Sequence, residues 1–438
     1  MNLKTIYTIV CAVGLAGTGS AMAQPLLLSH SQCREMALAH SEELEQADIR
    51  LRQAELDNRI ATTAYLPKLE GSATGAYVFP DIDMMGMDLR MRGMYMAGIT
   101  LTQPIYTGGK ITAGKRMARI GEAAAGEQLR MARMDILVDA DNAYWTYLAV
   151  GRKVHMLESY CEQMDTLFSQ MSGSLAAGMI IENDLLRIQA KQSEIHYQLQ
   201  KARNGADLCR LSLCRLIGVD DTTAIVPTDT AWVATEPGLL TAEIDNRPEL
   251  SLLKQQVEIG KLQIKNARAE MLPTVGVSAG YTYYGNIKLN SLVDVGNGTM
   301  MPYSEEFRDG IGMVVLAVKV PLFHWGEVHK KVRKARYELR SAELELQKNS
   351  RLLNLEVQQA MRNVQDGYRL IGTAQIGLQQ AVENLRVMRN RYAASMATLT
   401  DLLDAQSQWQ QAESNLIEAQ TQYKIYETAY LRATGRLE

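Results

Sequence analysis

The sequence predicts a mixed α+β membrane protein with an internal two-fold repeat, in which long coiled-coil helical hairpins are joined to four β-strands per chain. Three observations predict it. Apolar residues recur at alternating spacings of three and four from Ala360 to Ala433, about ten residues at a time alternate apolar with small or polar side chains elsewhere, and landmarks of the first half return in the second.

At the N-terminus, Lys4 precedes an apolar run from Ile6 to Ala16, and Ala21-Met22-Ala23 forms a small-x-small cleavage site before Gln24. Residues 1–23 therefore read as a secretory signal peptide, excluded from the fold. No later apolar run reaches the roughly 18 residues of a spanning helix. An exported chain without such a helix is either secreted or crosses a membrane as a β-barrel, the other structure that satisfies its backbone in lipid. Lys and Arg number 46 against 49 Asp and Glu, a net charge of −3, so no basic field recommends nucleic acid. Cys33, Cys161, Cys209 and Cys214 follow the signal; the last two sit five apart on a predicted helix, and neither a disulfide framework nor a CxxC is present.

Two sets of landmarks define the repeat. Ala64-Tyr-Leu-Pro67-Lys-Leu returns as Glu270-Met-Leu-Pro273-Thr-Val, and Gln103-Pro104-Ile-Tyr-Thr-Gly-Gly109 returns as Val320-Pro321-Leu-Phe-His-Trp-Gly326. Ala177-Gly-Met-Ile-Ile-Glu-Asn-Asp184-Leu-Leu returns as Ala394-Ser-Met-Ala-Thr-Leu-Thr-Asp401-Leu-Leu. The first pair is offset by 206 positions and the other two by 217. The extra residues of the second repeat fall between its two prolines, which predicts an exposed loop there, between Tyr284 and Gly310. Repeat 1 is residues 24–218: a helix from about Ser31 to Leu66, a strand pair within 69–105 and a helical hairpin over 110–217. An inter-repeat linker covers 219–241. Repeat 2 is residues 242–438: a helix from about Ala242 to Leu272, a strand pair within 274–322 and a hairpin over 327–435.

The strands follow from alternation. Val275, Val277, Ala279, Tyr281 and Tyr283 alternate with Gly276, Ser278, Gly280 and Thr282, and Val314, Leu316, Val318 and Val320 supply a partner. In the first repeat Tyr95, Ala97, Ile99 and Leu101 alternate with Met96, Gly98, Thr100 and Thr102, beside a weaker run from Leu69 to Phe79. Apolar-out, small-or-polar-in alternation marks a barrel strand in lipid, and Tyr77, Phe79, Tyr95, Tyr106, Tyr281, Tyr283, Phe323 and Trp325 suit an aromatic girdle.

The helices follow from heptads and length. A helix over 110–176 would be about 100 Å long, more than its returning partner over 181–217 can cover. The helix ahead of the first strand supplies the remainder, and the second repeat repeats the sum. Ala360, Val364, Gly367, Ile371, Ala374, Leu378, Ala381, Leu385, Met388 and Tyr392 form the outgoing seam of the last hairpin, and Leu402, Ala405, Trp409, Ala412, Leu416, Ala419, Tyr423, Tyr426, Tyr430 and Ala433 the returning one. Thr398 with Asp401 reads as a capping box opening the return. Four strands cannot close a barrel, since about eight are the minimum and leave a filled lumen. Three copies, giving twelve strands, make the smallest assembly with an open bore.

The Leu-Pro ahead of each first strand, the Gln-Pro-Ile-Tyr-x-Gly-Gly closing the second, and a tip with Tyr392, Ser395 and Asp401-Leu-Leu-Asp404 together resemble the TolC-type outer-membrane efflux proteins. The resemblance covers nearly all of the mature chain. It implies a homotrimer, a twelve-stranded barrel in outer-membrane lipid, a long periplasmic α-barrel with residues 219–241 at its equator, and substrates leaving through the bore. It also implies two partners: a periplasmic adaptor (membrane fusion protein) and an inner-membrane pump of the resistance-nodulation-division or ABC type. Its implied activity is passive export, with drugs, metals or proteins as cargo according to the pump, and no enzymatic step or cofactor.

In that family the tip closes the channel, which points here to Tyr392, Asp401 and Asp404 on the second hairpin, Asp184 on the first, and tip turns at Gly178 and Ser395. Asp401 and Asp404 from three chains would ring the entrance with carboxylates and attract cations. This chain has Ala397 where the best-known member carries a tying arginine, and Arg187 is the candidate replacement. Simpler roles stand beside these. An Asp in the first turn of a helix caps it and suits its dipole, which applies to Asp184 and Asp401, and Tyr392 on the seam reads as core ahead of lock.

Met84, Met85, Met87, Met91, Met94 and Met96 crowd the first loop and strand. Thioethers bind Cu(I) and Ag(I), so a heavy-metal export channel is an alternative, as is a type I protein secretion duct; unbranched Met also serves as an adaptable surface residue. No catalytic, cofactor-binding or metal-binding residue is assigned, since His324, Glu327 and His329 straddle a strand-helix junction and no nucleophile elbow, phosphate loop or HExxH occurs. A secreted coiled-coil structural protein is the further alternative, which would need neither the strand alternation nor the double offset.

Overall fold

The computed structural model describes residues 25–84, 87–178, 180–229, 236–294, 296 and 299–437. The expected signal peptide lies outside them, as do Met85 and part of the inter-repeat linker. Element order is β1 (Leu26–Leu28), α1 (His30–His40), α2 (Glu42–Thr63), β2 (Lys68–Tyr77), β3 (Ile82–Met84), β4 (Met87–Arg90), β5 (Arg92–Thr107), α3 (Lys110–Ala176), α4 (Glu182–Ile217), β6 (Ile225–Pro227), α5 (Pro248–Ala269), β7 (Thr274–Asp294), β8 (Met300–Lys319), α6 (Glu327–Ala393) and α7 (Leu399–Ala433). None of these helices is long and apolar enough to cross a membrane.

Three expectations need correction. The single helix expected over residues 31–66 is two, because the backbone at Ser41 is extended and closes α1 before α2 begins. The loop expected between Tyr284 and Gly310 is mostly strand: β7 and β8 are 21 and 20 residues long, and register holds from Ile287↔Phe307 to Asp294↔Met300. The insertion lengthens a hairpin instead of making a coil, since cross-strand pairing satisfies the backbone of both arms at once. Beyond the four expected strands, β3 and β4 form a short hairpin beside the extended part of β7, and β1 and β6 pair in parallel as a separate two-stranded sheet.

The chain forms two compact units, each assembled from segments of both halves. One comprises residues 43–132 and 243–356 and contains the large antiparallel sheet. There β2 pairs β5, β5 pairs β7, and β7 pairs β8, so among the described residues β2 and β8 each pair on one side only. Register sorts the side chains. Leu69, Leu101, Ala279 and Val314 share one row, and Gly71, Ile99, Tyr281 and Gly312 the next row on that face. Rows on the opposite face join Ser72, Gly98, Thr282 and Ile311, then Glu70, Thr100, Gly280 and Met313. Alternation by twos thus gives a largely apolar face and a face mostly of small and polar residues where β2, β5 and β7 pair, whereas β8 is apolar on both over residues 311–318. At one end of the sheet, Lys331 bridges Glu327 and Glu270, and Glu270 also pairs with Lys110, joining α3, α5 and α6.

The other unit comprises residues 1–42, 133–242 and 357–438. Its regular elements are helices apart from the β1–β6 pair. The heptad seam is seen directly: Val364, Ile371, Leu385, Leu402, Ala405, Tyr423, Tyr430 and Ala433 are buried, and the seam residues between them are at least half-buried. At Gly367 a methyl group would stand 3.1 Å from the Tyr426 ring and 3.5 Å from that of Tyr423, so glycine sets the approach of α6 to α7. Nearer the hairpin ends, Met156, Tyr160, Met164 and Met171 of α3 join Ile188 and Ile195 of α4 and Leu399 and Leu402 of α7 in one apolar core. Each such side chain withdrawn from water contributes about 1.5–3 kcal/mol.

Candidate functional site

The site predicted from sequence lies at the two hairpin tips, and the two are built from different local chemistry. In the second, α6 ends at Ala393 and Ser395 takes the left-handed conformation at φ 57°. Its N–H donates to the Tyr392 carbonyl at 2.9 Å and that of Met396 to the Arg391 carbonyl at 2.7 Å, the paired bonds of a Schellman stop. In the first, Gly178 takes the same role at φ 72°, donating to Leu175 at 2.9 Å. Serine stands where glycine is the usual choice.

The returning helices differ more. Thr398 caps α7: its hydroxyl accepts from the Asp401 N–H at 3.2 Å, while Asp401 Oδ2 accepts from the Thr398 N–H at 2.9 Å and hydroxyl at 2.7 Å. These bonds, the backbone one first, hold the exposed Asp401 carboxyl below the usual carboxylate range, helped by the nearby Arg391 guanidinium. At the start of α4 the equivalent residue is Ile181, which has no hydrogen-bonding side chain, so Asp184 has no reciprocal partner there. Asp184 is half-buried and lies close enough to Tyr392 to help burial raise that phenol above its ordinary range.

The remaining predicted residues are placed as follows. The Tyr392 hydroxyl donates to Met171 Sδ at 3.0 Å and its ring packs on the apolar core, so it joins the outgoing helices of the two hairpins. Arg187, exposed on α4, donates from Nη1 to Thr400 Oγ1 at 2.9 Å, which ties the two returning helices together near their starts. Asp404 is exposed in the second turn of α7. The tips therefore bring Arg187 to a hydroxyl rather than to a carboxylate. Thr400, Met171 and Arg391 were not foreseen; for the first two, no local pattern marks a partner more than two hundred positions away.

A second polar cluster escaped sequence reasoning altogether. Asp141 on α3 is fully buried and accepts from Arg34 Nε at 2.7 Å and Nη2 at 2.6 Å, and from Thr428 Oγ1 at 2.5 Å, with His30 Nε2 at 2.6 Å. Beside it, Asp229 Oδ2 accepts from the Tyr144 hydroxyl and the His30 backbone N–H, both at 2.7 Å. The one available signal was an acidic residue on the buried stripe of α3 between Leu137 and Tyr144. The cluster ties α1, α3 and α7 together and includes none of the tip residues.

Comparison with known proteins places this geometry in context. The family model described as "Outer membrane efflux protein" matches residues 33–219 and 239–436. Protein CyaE of Bordetella pertussis is 24% identical over 414 residues, covering 92% of this chain and 83% of that protein. Outer membrane protein TolC of Escherichia coli is 22% identical over 444 residues, covering 99% and 87% respectively. The solved structure of CusC superposes with a TM-score of 0.78 at 15% identity, over 96% of this chain and 95% of that one, which establishes likeness of fold.

Proposed function

The chain belongs to the outer membrane efflux protein family, and on that premise we propose that it is the outer-membrane channel of a tripartite export system: a passive duct that receives substrate from an inner-membrane pump through a periplasmic adaptor. The observation that carries the reading is the large sheet. Where β2, β5, β7 and β8 run together it has one largely apolar face, an opposite face mostly of small and polar residues in three of those four strands, and two edges, at β2 and β8, that pair with nothing among the described residues. An open edge has no place in lipid. Three copies joined β8 to β2 would close twelve antiparallel strands, turn the apolar face to lipid and the other to water, and leave an open bore. The helical hairpins are then the periplasmic tunnel, and the tips its entrance.

At that entrance Asp401 and Asp404 from three chains form the cation-attracting ring, while Arg187–Thr400 and Tyr392–Met171 hold neighbouring helices of each chain in the closed arrangement. Asp401 serves as cap and ring member together, because its second oxygen is free of the capping bonds. The duct does no chemistry of its own, and the pump decides what passes.

The test is crosslinking in native outer membranes, with cysteines placed on the outward edges of β2 and β8. Covalent trimers support the reading. A folded, membrane-inserted monomer with unreacted edges overturns it.

A further inference from the structure

The thioether-rich stretch of β5 offers a site that the duct reading does not use. Met91, Met94 and Met96 do not share a face by sequence spacing, since 91 and 94 differ by an odd number in a strand of period two. The register changes this. Tyr77 of β2 is opposite Arg92, but the next residue, Ala76, is opposite Met94, so β5 carries one extra residue, Gly93, at φ 78°. Opposed residues share a face and Ala76 and Tyr77 face opposite ways, so Arg92 lies on the face of Tyr77 and Met94 on that of Ala76. Met91 precedes β5 by one residue, and the bond that its carbonyl accepts from the Val78 N–H at 3.2 Å carries the pairing one step beyond Arg92, which returns Met91 to the face of Met94 and Met96.

The bulge is held in place. Asn286, itself left-handed at φ 62°, donates from Nδ2 to the carbonyls of Arg92 and Gly93, both at 3.0 Å, and the Val78 N–H donates to the Met91 carbonyl at 3.2 Å. A methyl group at Gly93 would stand 3.2 Å from that amide. Arg92, on the opposite face, is tied to Asp81 by bonds of 2.9 and 3.2 Å, which keeps its charge away from the thioethers. The neighbours on the methionine face are Thr74 and Ala76 on β2, Gly98 on β5, and one aromatic residue, Tyr284 on β7, opposite Met96. On this face β5 continues as Gly98, Thr100 and Thr102, so three methionines there serve no apolar core.

We propose that Met91, Met94 and Met96 form a binding site for a soft monovalent cation of the Cu(I) or Ag(I) class. Thioether sulfur is a neutral, polarisable donor that selects such ions over the hard cations preferred by oxygen ligands. Met94 and Met96 stand about 7 Å apart at Cα, and their three rotatable bonds let both sulfurs converge on one ion. The bulge adds Met91 as the third donor. The site goes beyond the export reading and needs only the β2–β5 register, so it stands or falls separately from trimer closure.

The test is titration of the detergent-purified full-length protein with Ag(I) in chloride-free buffer, in a background where Cys33, Cys161, Cys209 and Cys214 are changed to alanine to remove competing thiols. The expected result is one saturable Ag(I) equivalent per chain, weakened at least tenfold by Met91→Leu/Met94→Leu/Met96→Leu. Leucine nearly conserves volume, and circular dichroism verifies that the variant folds. Silver-edge X-ray absorption should show sulfur neighbours in the parent protein. Asn286→Ala, which leaves every sulfur in place and releases the bulge, should weaken binding as well. Absence of saturable binding, oxygen or nitrogen coordination alone, or an unchanged titration in the triple variant overturns the proposal.

Discussion

Replacing Asp141 by asparagine tests whether the buried ion cluster stabilises through its charge. Burial by itself raises the Asp141 carboxyl, but hydrogen bonds from Arg34, His30 and Thr428 outweigh it and set the group at about 2, against an ordinary 3.8. That difference corresponds to about 2.5 kcal/mol of linked stability at 1.36 kcal/mol per pH unit. The folded value is the lower one, so the contribution is fully present above the unfolded value and is lost as pH falls through the folded value near 2. Near neutrality, Asp141→Asn leaves the Arg34 guanidinium without its anion and the variant is the less stable. Acidification should then narrow the gap between the two proteins by about 2.5 kcal/mol, or roughly 5–10 °C in apparent melting temperature for a unit of this size. The assay is thermal unfolding in detergent followed by circular dichroism, at a series of pH values from neutrality down to about 1, spanning the linkage window. A gap independent of pH would refute the reasoning, and would mean that shape and hydrogen bonding alone hold α1, α3 and α7 together.

Neutralising the tips with Asp401→Asn and Asp404→Asn should lower cation selectivity, read as reversal potential in a salt gradient across planar bilayers; unchanged selectivity would assign both carboxylates to capping alone. Arg187→Ala removes the bond to Thr400 Oγ1 and should raise single-channel conductance, whereas an unaltered conductance would show that packing holds the tip closed. Tyr392→Phe keeps the ring and loses the bond to Met171 Sδ, with an expected loss of about 1 kcal/mol or less in thermal stability. An epitope inserted between Asp294 and Met300, in the segment joining β7 to β8, should be detected on intact cells; detection only after permeabilisation would reverse the orientation of the sheet.

Legibility in the sequence followed the range of the interactions. The seam from Ala360 to Ala433 could be read because its periodicity is local and its partner helix is next in the chain. The same holds for Thr398 with Asp401, where a capping box needs residues only three apart. Strand faces at Tyr281 and Ile99 were equally plain, since alternation by twos is a local property. The length of β7 and β8 was missed because residues 286–294 and 300–309 lose the clean alternation once both faces of the hairpin are polar or mixed. The break at Ser41 was missed because helix propensity on both sides masked one extended residue. At the tip, the family resemblance and the internal repeat gave the positions of Asp184, Arg187 and Tyr392, yet not their partners: the Arg187–Thr400 and Tyr392–Met171 bonds depend on how two hairpins dock. Asp141 shows the limit most clearly, with Arg34 and Thr428 drawn from opposite ends of the chain.

The parallel pairing of β1 with β6 fixes an order of completion during synthesis. Leu26 is made early and finds no partner until Ile225 has followed it. β5 likewise gains β2 at once, through a short connection, but acquires its other neighbour only when Thr274–Asp294 has been made. Closing loops of that length costs entropy before any pairing rewards it, so these steps are slow, while each helical hairpin can fold on its own sequence neighbours. The nascent chain thus carries a half-built amphipathic sheet through the making of α3, α4 and α5, the interval in which it is most exposed to aggregation. A chain interrupted before Ile225 would keep a complete first hairpin and have no finished version of either sheet.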